Sequence, residues 1–390
     1  MNEIRMGVAG LGDRGLEWIR LLQRIKGYRV MAICDRIKAL QERALSQMDN
    51  SDEVVAYTDY EEFLADNNID AVALCVRCKE QGAMAAQALE AGKHVNSEVP
   101  AAYTLEDCWR IVIAVERTGL VYQLAEQTRY YGFVGAWRKL VAEGQVGRVV
   151  YCEGQYFHYY TPLRAFQDPE TGKFYTVEES RSHPGVKPTW LRYMPPIHYL
   201  PHDLSLLLRV LDDRVVEVMA MSTRSPSYIH PEIITPDFQI ALMKTEKDAI
   251  LRMATSFNLP FPSDASSHWY QIIGTRGCLE WKRLERDRPR MWLADSDMRN
   301  MAEVDWRYEC SDTPVEARES GHRGVDYYPH TAFRDAILGI KPLEFDVYKA
   351  MDTAAPAILA AESIDSGGKL LHVPDFRPSR KRKTGEMPGL

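Results

Sequence analysis

The sequence predicts an α/β protein of two domains, in which a parallel sheet covered by helices precedes an α+β domain with a large, mainly antiparallel sheet. A chain of 390 residues exceeds the size at which one hydrophobic core usually suffices, so two domains are expected. The first third alternates short apolar runs with amphipathic segments, which is typical of parallel strands joined by helices. Beyond about residue 130, strand-like runs follow one another through turns, which favours antiparallel pairing.

The N-terminal region contains alternating strand-like and helix-like segments. Strands are predicted at residues 5–9, 29–34, 71–76, 94–97 and 121–124. Helices are predicted between them at residues 16–25, 39–48, 60–66, 81–91 and 105–117. This order predicts a first domain over residues 1–128.

The second domain is predicted over residues 129–376. It opens with a helix at 133–143 and closes with a helical segment at 342–366. Between them the predicted strands are 148–156, 215–222, 238–243, 249–256, 270–274 and 278–281. The sequence has no low-complexity linker, so we expect the domains to pack closely around a cleft.

Composition restricts the classes of function. Hydrophobic residues make up 45% of the chain and charged residues 26%, as in folded globular proteins. The net charge of −7 argues against nucleic acid as a partner, because a phosphate backbone requires a concentrated basic face. The basic run at 377–383 lies in a segment, 377–390, that is predicted to be a disordered tail. With no apolar run long enough for a membrane and no signal peptide recognised, the sequence predicts a cytoplasmic protein.

The cysteines and histidines do not predict a metal site. Seven cysteines, an odd number spread along the chain, indicate reduced thiols. Cys75 and Cys78 form a lone CxxC without the second pair that a structural zinc site needs. His198 and His202 have the spacing of a helical metal pair, but Pro201 interrupts a continuous helix through them and no third ligand is evident.

A glycine-rich loop follows the first strand and opens the first helix. Gly10, Gly12 and Gly15 form a GxGxxG run, in which the second glycine lets the backbone approach a pyrophosphate at the helix N-terminus. Asp35 ends the second strand, where a carboxylate accepts the ribose hydroxyls and favours NAD. Arg36 beside it leaves room for the 2′-phosphate of NADP, which is the less favoured cofactor. The sequence therefore predicts a Rossmann domain that binds NAD.

The residues after the fourth predicted strand strengthen this interpretation. Segment 92–100 reads Gly-Lys-His-Val-Asn-Ser-Glu-Val-Pro, which resembles the signature of the Gfo/Idh/MocA oxidoreductases. That family usually has Glu-Lys-Pro here, and its lysine often takes part in proton transfer. Val99 stands in the place of the lysine, and Val76-Arg77 stands where Thr-Pro is common after the third strand. The resemblance therefore implies an enzyme whose proton transfer depends on other residues.

Within that superfamily the chain is similar to the NAD-dependent glycosidases of glycoside hydrolase family 109. The similar segments are residues 98–102, 104–109, 152–158, 199–202, 321–327 and 342–348. The resemblance implies that NAD oxidises a sugar hydroxyl, usually at C3, so that the neighbouring C2 proton becomes acidic. The C1 substituent then leaves, water adds and the hydride returns. Segments 160–190 and 260–268 match poorly and are expected to shape substrate choice.

Candidate catalytic residues follow from this resemblance and from local sequence. Pro201 suits the first turn of a helix, which places His202 at the helix entrance and Tyr199 in the preceding loop. His322 lies in a glycine-flanked loop that can hold a side chain at a cleft. Histidine exchanges protons near neutral pH, as the chemistry requires. The predicted catalytic residues are Tyr199, His202 and His322.

Other polar residues are predicted to bind the cofactor or the sugar. The cofactor set is Gly10, Gly12, Asp13, Arg14, Gly15, Asp35, Arg36 and Glu98. The substrate set is Glu126, Tyr156, His158 and Asp326. Strand alternation points Tyr156 and His158 to one face, where aromatic and polar groups suit a sugar.

The sequence leaves alternatives open. A simple sugar or glycoside 3-dehydrogenase would release its reduced cofactor, and the missing lysine is compatible with a non-catalytic NAD-binding sensor. The family likeness also implies a homodimer or homotetramer formed through the exposed sheet face of the second domain.

Overall fold

A computed structural model describes residues 3–310, 313–380 and 382–388. The first domain is a parallel sheet with helices on both faces. Its strands are β1 (Ile4–Ala9), β2 (Tyr28–Cys34), β3 (Val55–Tyr57), β4 (Ala71–Leu74), β5 (His94–Ser97) and β6 (Tyr122–Leu124). Its helices are α1 (Asp13–Arg24), α2 (Lys38–Leu45), α3 (Tyr60–Ala65), α4 (Cys78–Glu90) and α5 (Leu105–Thr118).

The second domain contains a large sheet and the remaining helices. The helices are α6 (Gly132–Ala142), α7 (Val177–Ser180), α8 (Pro201–Leu211), α9 (Val315–Arg318), α10 (Tyr327–Ile337) and α11 (Val347–Asp365). The strands are β7 (Val149–Phe157), β8 (Phe166–Gln167), β9 (Phe174–Tyr175), β10 (Lys187–Pro188), β11 (Val215–Ser222), β12 (Gln239–Thr245), β13 (Ile250–Ser256), β14 (His268–Gly274), β15 (Gly277–Glu280), β16 (Arg290–Leu293), β17 (Ala302–Glu303) and β18 (Leu371–His372).

The topology confirms the predicted fold class. The first sheet has the order β3-β2-β1-β4-β5-β6, and its pairings are parallel. The order reverses between β1 and β4, so the loops after these strands diverge and leave a crevice at the carboxyl edge. The large sheet has the order β17-β16-β15-β14-β7-β13-β12-β11-β18, with β7 and β13 parallel and its other pairs antiparallel.

Several elements differ from the sequence prediction for local reasons. The predicted helix 342–366 begins only at Val347, because the Asp346 carboxylate accepts a hydrogen bond from the Lys349 backbone N–H and caps the helix. The short strand β3 was not predicted, because its residues are exposed or half-buried at the sheet edge and do not form a buried apolar run. A small sheet of order β10-β8-β9, built from two-residue strands, was likewise not predicted.

The C-terminal segment packs on the folded domains, whereas its composition predicts a disordered tail. Arg382 lies buried and pairs with Glu116 of α5 at 2.7 Å. Arg377 donates to the buried Asp352 of α11 at 2.6 Å and 3.1 Å. The basic run thus has buried acidic partners from distant parts of the chain, which composition alone does not reveal.

Candidate active site

The glycine loop after β1 combines tight contacts with one open position. Gly10 has φ +86°, and a Cβ there would lie 2.3 Å from the Cys75 carbonyl oxygen. A Cβ on Gly15 would lie 1.9 Å from the Gly10 carbonyl oxygen. At Gly12, which caps α1, a Cβ would meet nothing within 4 Å. The backbone therefore leaves space at a helix N-terminus, as a bound pyrophosphate requires.

Asp35 is fixed beside this loop at the end of β2. Its carboxylate accepts hydrogen bonds from the backbone N–H groups of Leu11 at 2.8 Å and Ile37 at 2.9 Å. Each oxygen keeps further lone pairs that can accept ribose hydroxyls. Arg36 is exposed and lies 3.6 Å from Glu80. The loop and the acid thus fit the adenosine and pyrophosphate parts of NAD.

The structure places Asp13 and Arg14 in ion pairs that join the two domains. Asp13 accepts a hydrogen bond from Arg164 at 2.8 Å. Arg14 donates to both carboxylate oxygens of Asp326, at 2.6 Å and 3.2 Å, and its Nε lies 3.2 Å from Glu98. The side chains predicted to contact the cofactor at these two positions therefore have protein partners.

The buried charged groups around Arg14 shift one another's pKa values. Burial raises the pKa of Asp326, but the Arg14 guanidinium and His322 outweigh it, so the pKa lies well below its usual range. His322 Nδ1 lies 2.9 Å from the Asp326 carboxylate. Glu98 is also buried, and burial raises its pKa against the attraction of Arg14. Arg14, Glu98, His322 and Asp326 form a cluster between the glycine loop and the second domain, which we call the charged wall.

A histidine–glutamate pair lies where the two domains meet. His202, in the first turn of α8, has Nδ1 at 3.0 Å from Glu126 Oε2, and both side chains are buried. The backbone N–H and hydroxyl of Thr128 donate to Glu126 Oε1 at 2.9 Å and 2.8 Å. Glu126 Oε1 is held by Thr128 and Oε2 faces His202, so Glu126 is suited to positioning His202, while the substrate contact expected from the sequence stays a prediction.

The pair is electrostatically coupled. Burial lowers the pKa of His202, but the Glu126 carboxylate outweighs it and raises the pKa above the ordinary value. Burial raises the pKa of Glu126, but His202 and Thr128 outweigh it, so that the pKa is lowered. With Nδ1 held by Glu126, the other ring nitrogen of His202 is the one that can exchange a proton with a ligand.

Aromatic side chains surround His202. The ring centroid of Tyr156 lies 5.6 Å and that of Tyr199 lies 6.1 Å from the His202 ring. Phe257 contacts both tyrosines, at 5.0 Å and 5.1 Å. His158 lies 5.9 Å from Tyr156, and burial together with His268 lowers its pKa to about 4. The structure thus brings four predicted residues, Tyr156, His158, Tyr199 and His202, into one cluster.

A second histidine–carboxylate pair borders the same cluster and was missed by sequence reasoning. His268, the first residue of β14, has Nδ1 at 2.7 Å from Asp203 Oδ1. The Tyr270 hydroxyl donates to the same oxygen at 2.6 Å. His268 stacks on Tyr156, with ring centroids 4.1 Å apart. The alternation of His268 and Tyr270 on one strand face was the available signal, but their shared partner Asp203 lies 65 residues away from His268.

His198, which has the four-residue spacing to His202, is packed against an aromatic ring. His198 is buried and stacks on Tyr103 at 4.4 Å, and burial lowers its pKa to about 3. Across residues 3–310, 313–380 and 382–388, no group of three or more His, Cys, Asp or Glu is arranged to hold a metal ion. Over the same ranges, no helix combines the length and apolarity needed to cross a membrane.

Comparison with known proteins supplies two family matches. Residues 4–126 match the model of the Gfo/Idh/MocA oxidoreductase family with an NAD-binding Rossmann fold. Residues 227–383 match the C-terminal domain of glycosyl hydrolase family 109. The two matches thus include the glycine loop, Asp35, Glu98 and Glu126 in the first domain, and His268 and Asp326 in the second.

Similar proteins extend over nearly the whole chain. A glycosyl hydrolase family 109 protein of Porphyromonas gingivalis is 27% identical over 96% of this chain and 85% of its own length. An alpha-N-acetylgalactosaminidase of Tannerella forsythia is 27% identical over 96% of this chain and 86% of its own length. A levoglucosan dehydrogenase solved with NADH and L-sorbose shares the fold, with a TM-score of 0.73, 17% identity and coverage of 96% and 100% of the two chains.

Site geometry and comparisons lead to the same assignment. The predicted NAD cofactor fits the glycine loop and Asp35, and the first domain matches a family that binds it. Residues 4–126 thus match the Gfo/Idh/MocA family of NAD-binding oxidoreductases, and residues 227–383 match the C-terminal domain of glycosyl hydrolase family 109.

Proposed function

We propose that this protein oxidises a ring hydroxyl of a glycoside with resident NAD and uses the resulting ketone to cleave the glycosidic bond. The observation that carries the proposal is the buried His202–Glu126 pair, which lies against aromatic rings at the carboxyl edge of the NAD-binding sheet. A histidine fixed at one ring nitrogen by a carboxylate is a suitable acid and base for hydroxyl oxidation.

The protein side chains have defined tasks in this chemistry. The unprotonated Nε2 of His202 accepts the proton of the hydroxyl, while the hydride on the same carbon leaves. Glu126 stabilises the resulting imidazolium, since its carboxylate lies 3.0 Å from Nδ1 in a buried ion pair. Tyr156, Tyr199 and Phe257 present apolar faces that can pack against a sugar ring and exclude water. NAD held by the glycine loop and Asp35 would supply the hydride acceptor for this chemistry.

Net cleavage requires no external oxidant. Oxidation at C3 acidifies the C2 proton, loss of that proton expels the C1 substituent, and water then adds at C1. Return of the hydride to C3 restores the hydroxyl and the oxidised cofactor. The relatives from P. gingivalis and T. forsythia support a glycosidase outcome, and the name of the latter suggests an N-acetylgalactosaminide as the first substrate to test.

The test uses nitrophenyl glycosides, including the α-N-acetylgalactosaminide, with purified protein and no added NAD. We expect nitrophenol release without accumulation of free NADH, and loss of release in His202→Gln with NAD binding retained. Free NADH formed in step with substrate oxidation, without nitrophenol, would identify the simple dehydrogenase. A wild-type protein that binds NAD but turns over none of a broad sugar panel would instead be a sensor.

We also propose that the protein is a homodimer or homotetramer. The face of the large sheet turned away from the helices has exposed apolar side chains on β11, β12, β13 and β14: Met219, Met221, Leu242, Ile250 and Ile273. Burial of such a face in a second copy would remove apolar area from water. Size-exclusion chromatography with light scattering tests this, and a monomeric mass would refute it.

A cytoplasmic location is likewise a proposal. Cys34, Cys78, Cys108 and Cys152 are buried as thiols, and burial raises the pKa of each. Such thiols suit a reducing compartment. Fractionation of the native host tests the location, and recovery of the protein outside the cytoplasm would refute it.

A further inference from the structure

The first turn of α8 contributes to two histidine–carboxylate pairs at once. His202 pairs with Glu126, and its neighbour Asp203 pairs with His268. The two imidazole rings lie 6.4 Å apart at an angle of 78°. Tyr156 contacts both, with ring centroids 5.6 Å from His202 and 4.1 Å from His268. One tyrosine is thus in contact with two imidazoles, each held by its own buried acid.

The second pair has the features of a positioned proton-transfer group. Asp203 has no exposed surface, and the His268 side chain is 13% exposed. Asp203 Oδ1 is held from two sides, by Tyr270 and by His268 Nδ1. Within the described residues, Nε2 of His268 makes no hydrogen bond, just as Nε2 of His202 makes none. Each ring is therefore fixed at Nδ1 and retains one nitrogen for exchange with a ligand.

The proposed reaction requires two proton acceptors on neighbouring carbons. Oxidation removes a proton from the C3 hydroxyl, and elimination removes a proton from C2. A histidine that already holds the hydroxyl proton cannot accept the second proton until it has lost the first. His202 and His268 both contact Tyr156, so each can accept one of the two protons while the sugar stays in place.

We propose that His268 is the base that removes the C2 proton, with Asp203 as its positioning residue. The inference rests on the proposed glycosidase function and deepens it. The C2–H electron pair becomes the C1–C2 double bond as the C1–O bond breaks, and the leaving oxygen takes a proton from the site or from water. His268 receives the C2 proton at Nε2, this proton exchanges with solvent, and His268 returns a solvent-derived proton to C2 when water has added to C1.

The experiment compares His268→Gln and His202→Gln in a single turnover with a nitrophenyl glycoside that the wild type cleaves. Reduced nicotinamide is followed by its near-ultraviolet absorbance, and nitrophenol by its visible absorbance. In His268→Gln we expect reduced cofactor to form but nitrophenol release to fall by about 10²- to 10⁴-fold, the usual contribution of a general base. In His202→Gln we expect both signals to be lost.

A second readout follows the C2 proton directly. In D₂O, wild-type product should carry deuterium at C2, whereas substrate recovered from His268→Gln should carry none. The matched control is His372→Gln, which alters an 80% exposed histidine that lies 3.6 Å from Glu217, away from the site. This control should behave as the wild type does in both measurements.

The outcomes distinguish failure of the role assigned to His268 from failure of the proposed glycosidase function. Nitrophenol release at the wild-type rate in His268→Gln, or loss of cofactor reduction equal to that in His202→Gln, would overturn the role of His268. If both His268→Gln and His268→Asn lost bound NAD, His268 would be a structural residue and the inference would also fail. A wild type that produces neither reduced cofactor nor nitrophenol from any glycoside would contradict the proposed function itself.

Discussion

Replacement of Glu126 by glutamine tests whether the His202 pair performs chemistry or only packs. The substitution keeps the shape of the side chain and an oxygen that can accept from Thr128. It removes the charge that lies 3.0 Å from His202 Nδ1 in a buried site. A hydrogen bond to a charged group contributes about 1.5–3 kcal/mol, which corresponds to a roughly 10- to 150-fold change in rate. We therefore expect kcat/KM for glycoside cleavage to fall by that factor.

The same substitution should change the pH dependence in a defined direction. The Glu126 charge raises the pKa of His202 against the effect of burial, so the wild type loses activity on the acid side at a higher pH than an ordinary histidine would. Without that charge, burial lowers the pKa of His202 and the acid limb moves to lower pH. The control Glu217→Gln alters an exposed pair with His372 and should change neither quantity. Unchanged kcat/KM and an unchanged acid limb in Glu126→Gln would refute the assigned role.

Three further predictions concern the charged wall and the cofactor loop. Asp326→Asn should lower the free energy of unfolding at neutral pH by about 3–5 kcal/mol in urea titrations, because it removes the buried partner of Arg14. Folding lowers the pKa of Asp326, so the difference in free energy of unfolding between wild type and variant should be complete above the ordinary aspartate pKa of ~4. The difference should shrink as the pH falls below that value, and a difference independent of pH would contradict the pairing. Gly12→Val should fold as the wild type does, because its Cβ meets nothing within 4 Å, yet lose NAD in calorimetry; retained NAD would contradict the assigned cradle. Asp35→Ala should weaken NAD binding more than NADP binding, and equal effects on both would argue against ribose recognition by this carboxylate.

The first domain was predictable because its signals are local. The glycine loop, the acid after the second strand and the alternation of strands and helices each depend on residues close together in sequence. The large sheet was predicted as a class but not in its pairing, since nothing local indicates that β7 and β13 run parallel across about 100 residues. Arg382 shows the same limit, because its buried partner Glu116 is 266 residues away.

The active site was only partly predictable for a related reason. Tyr199 and His202 stand out in sequence because a proline marks the helix that presents them. The role of Glu126 depends on its burial and on its contact with His202, and neither follows from its position after β6. His268 lies within the residues that match the family 109 domain, although the sequence prediction had set segment 260–268 apart from that family. Its importance depends on Asp203 and Tyr156, which contact it only in the folded sheet.

The central claim is that NAD stays bound and is recycled while glycosides are cleaved. The most direct measurement is the number of nitrophenol molecules released per bound NAD by gel-filtered protein in buffer without added cofactor. The account predicts many turnovers per NAD, with the cofactor recovered in its oxidised form. Release that stops at one equivalent or less, with NADH accumulating in solution, would contradict it.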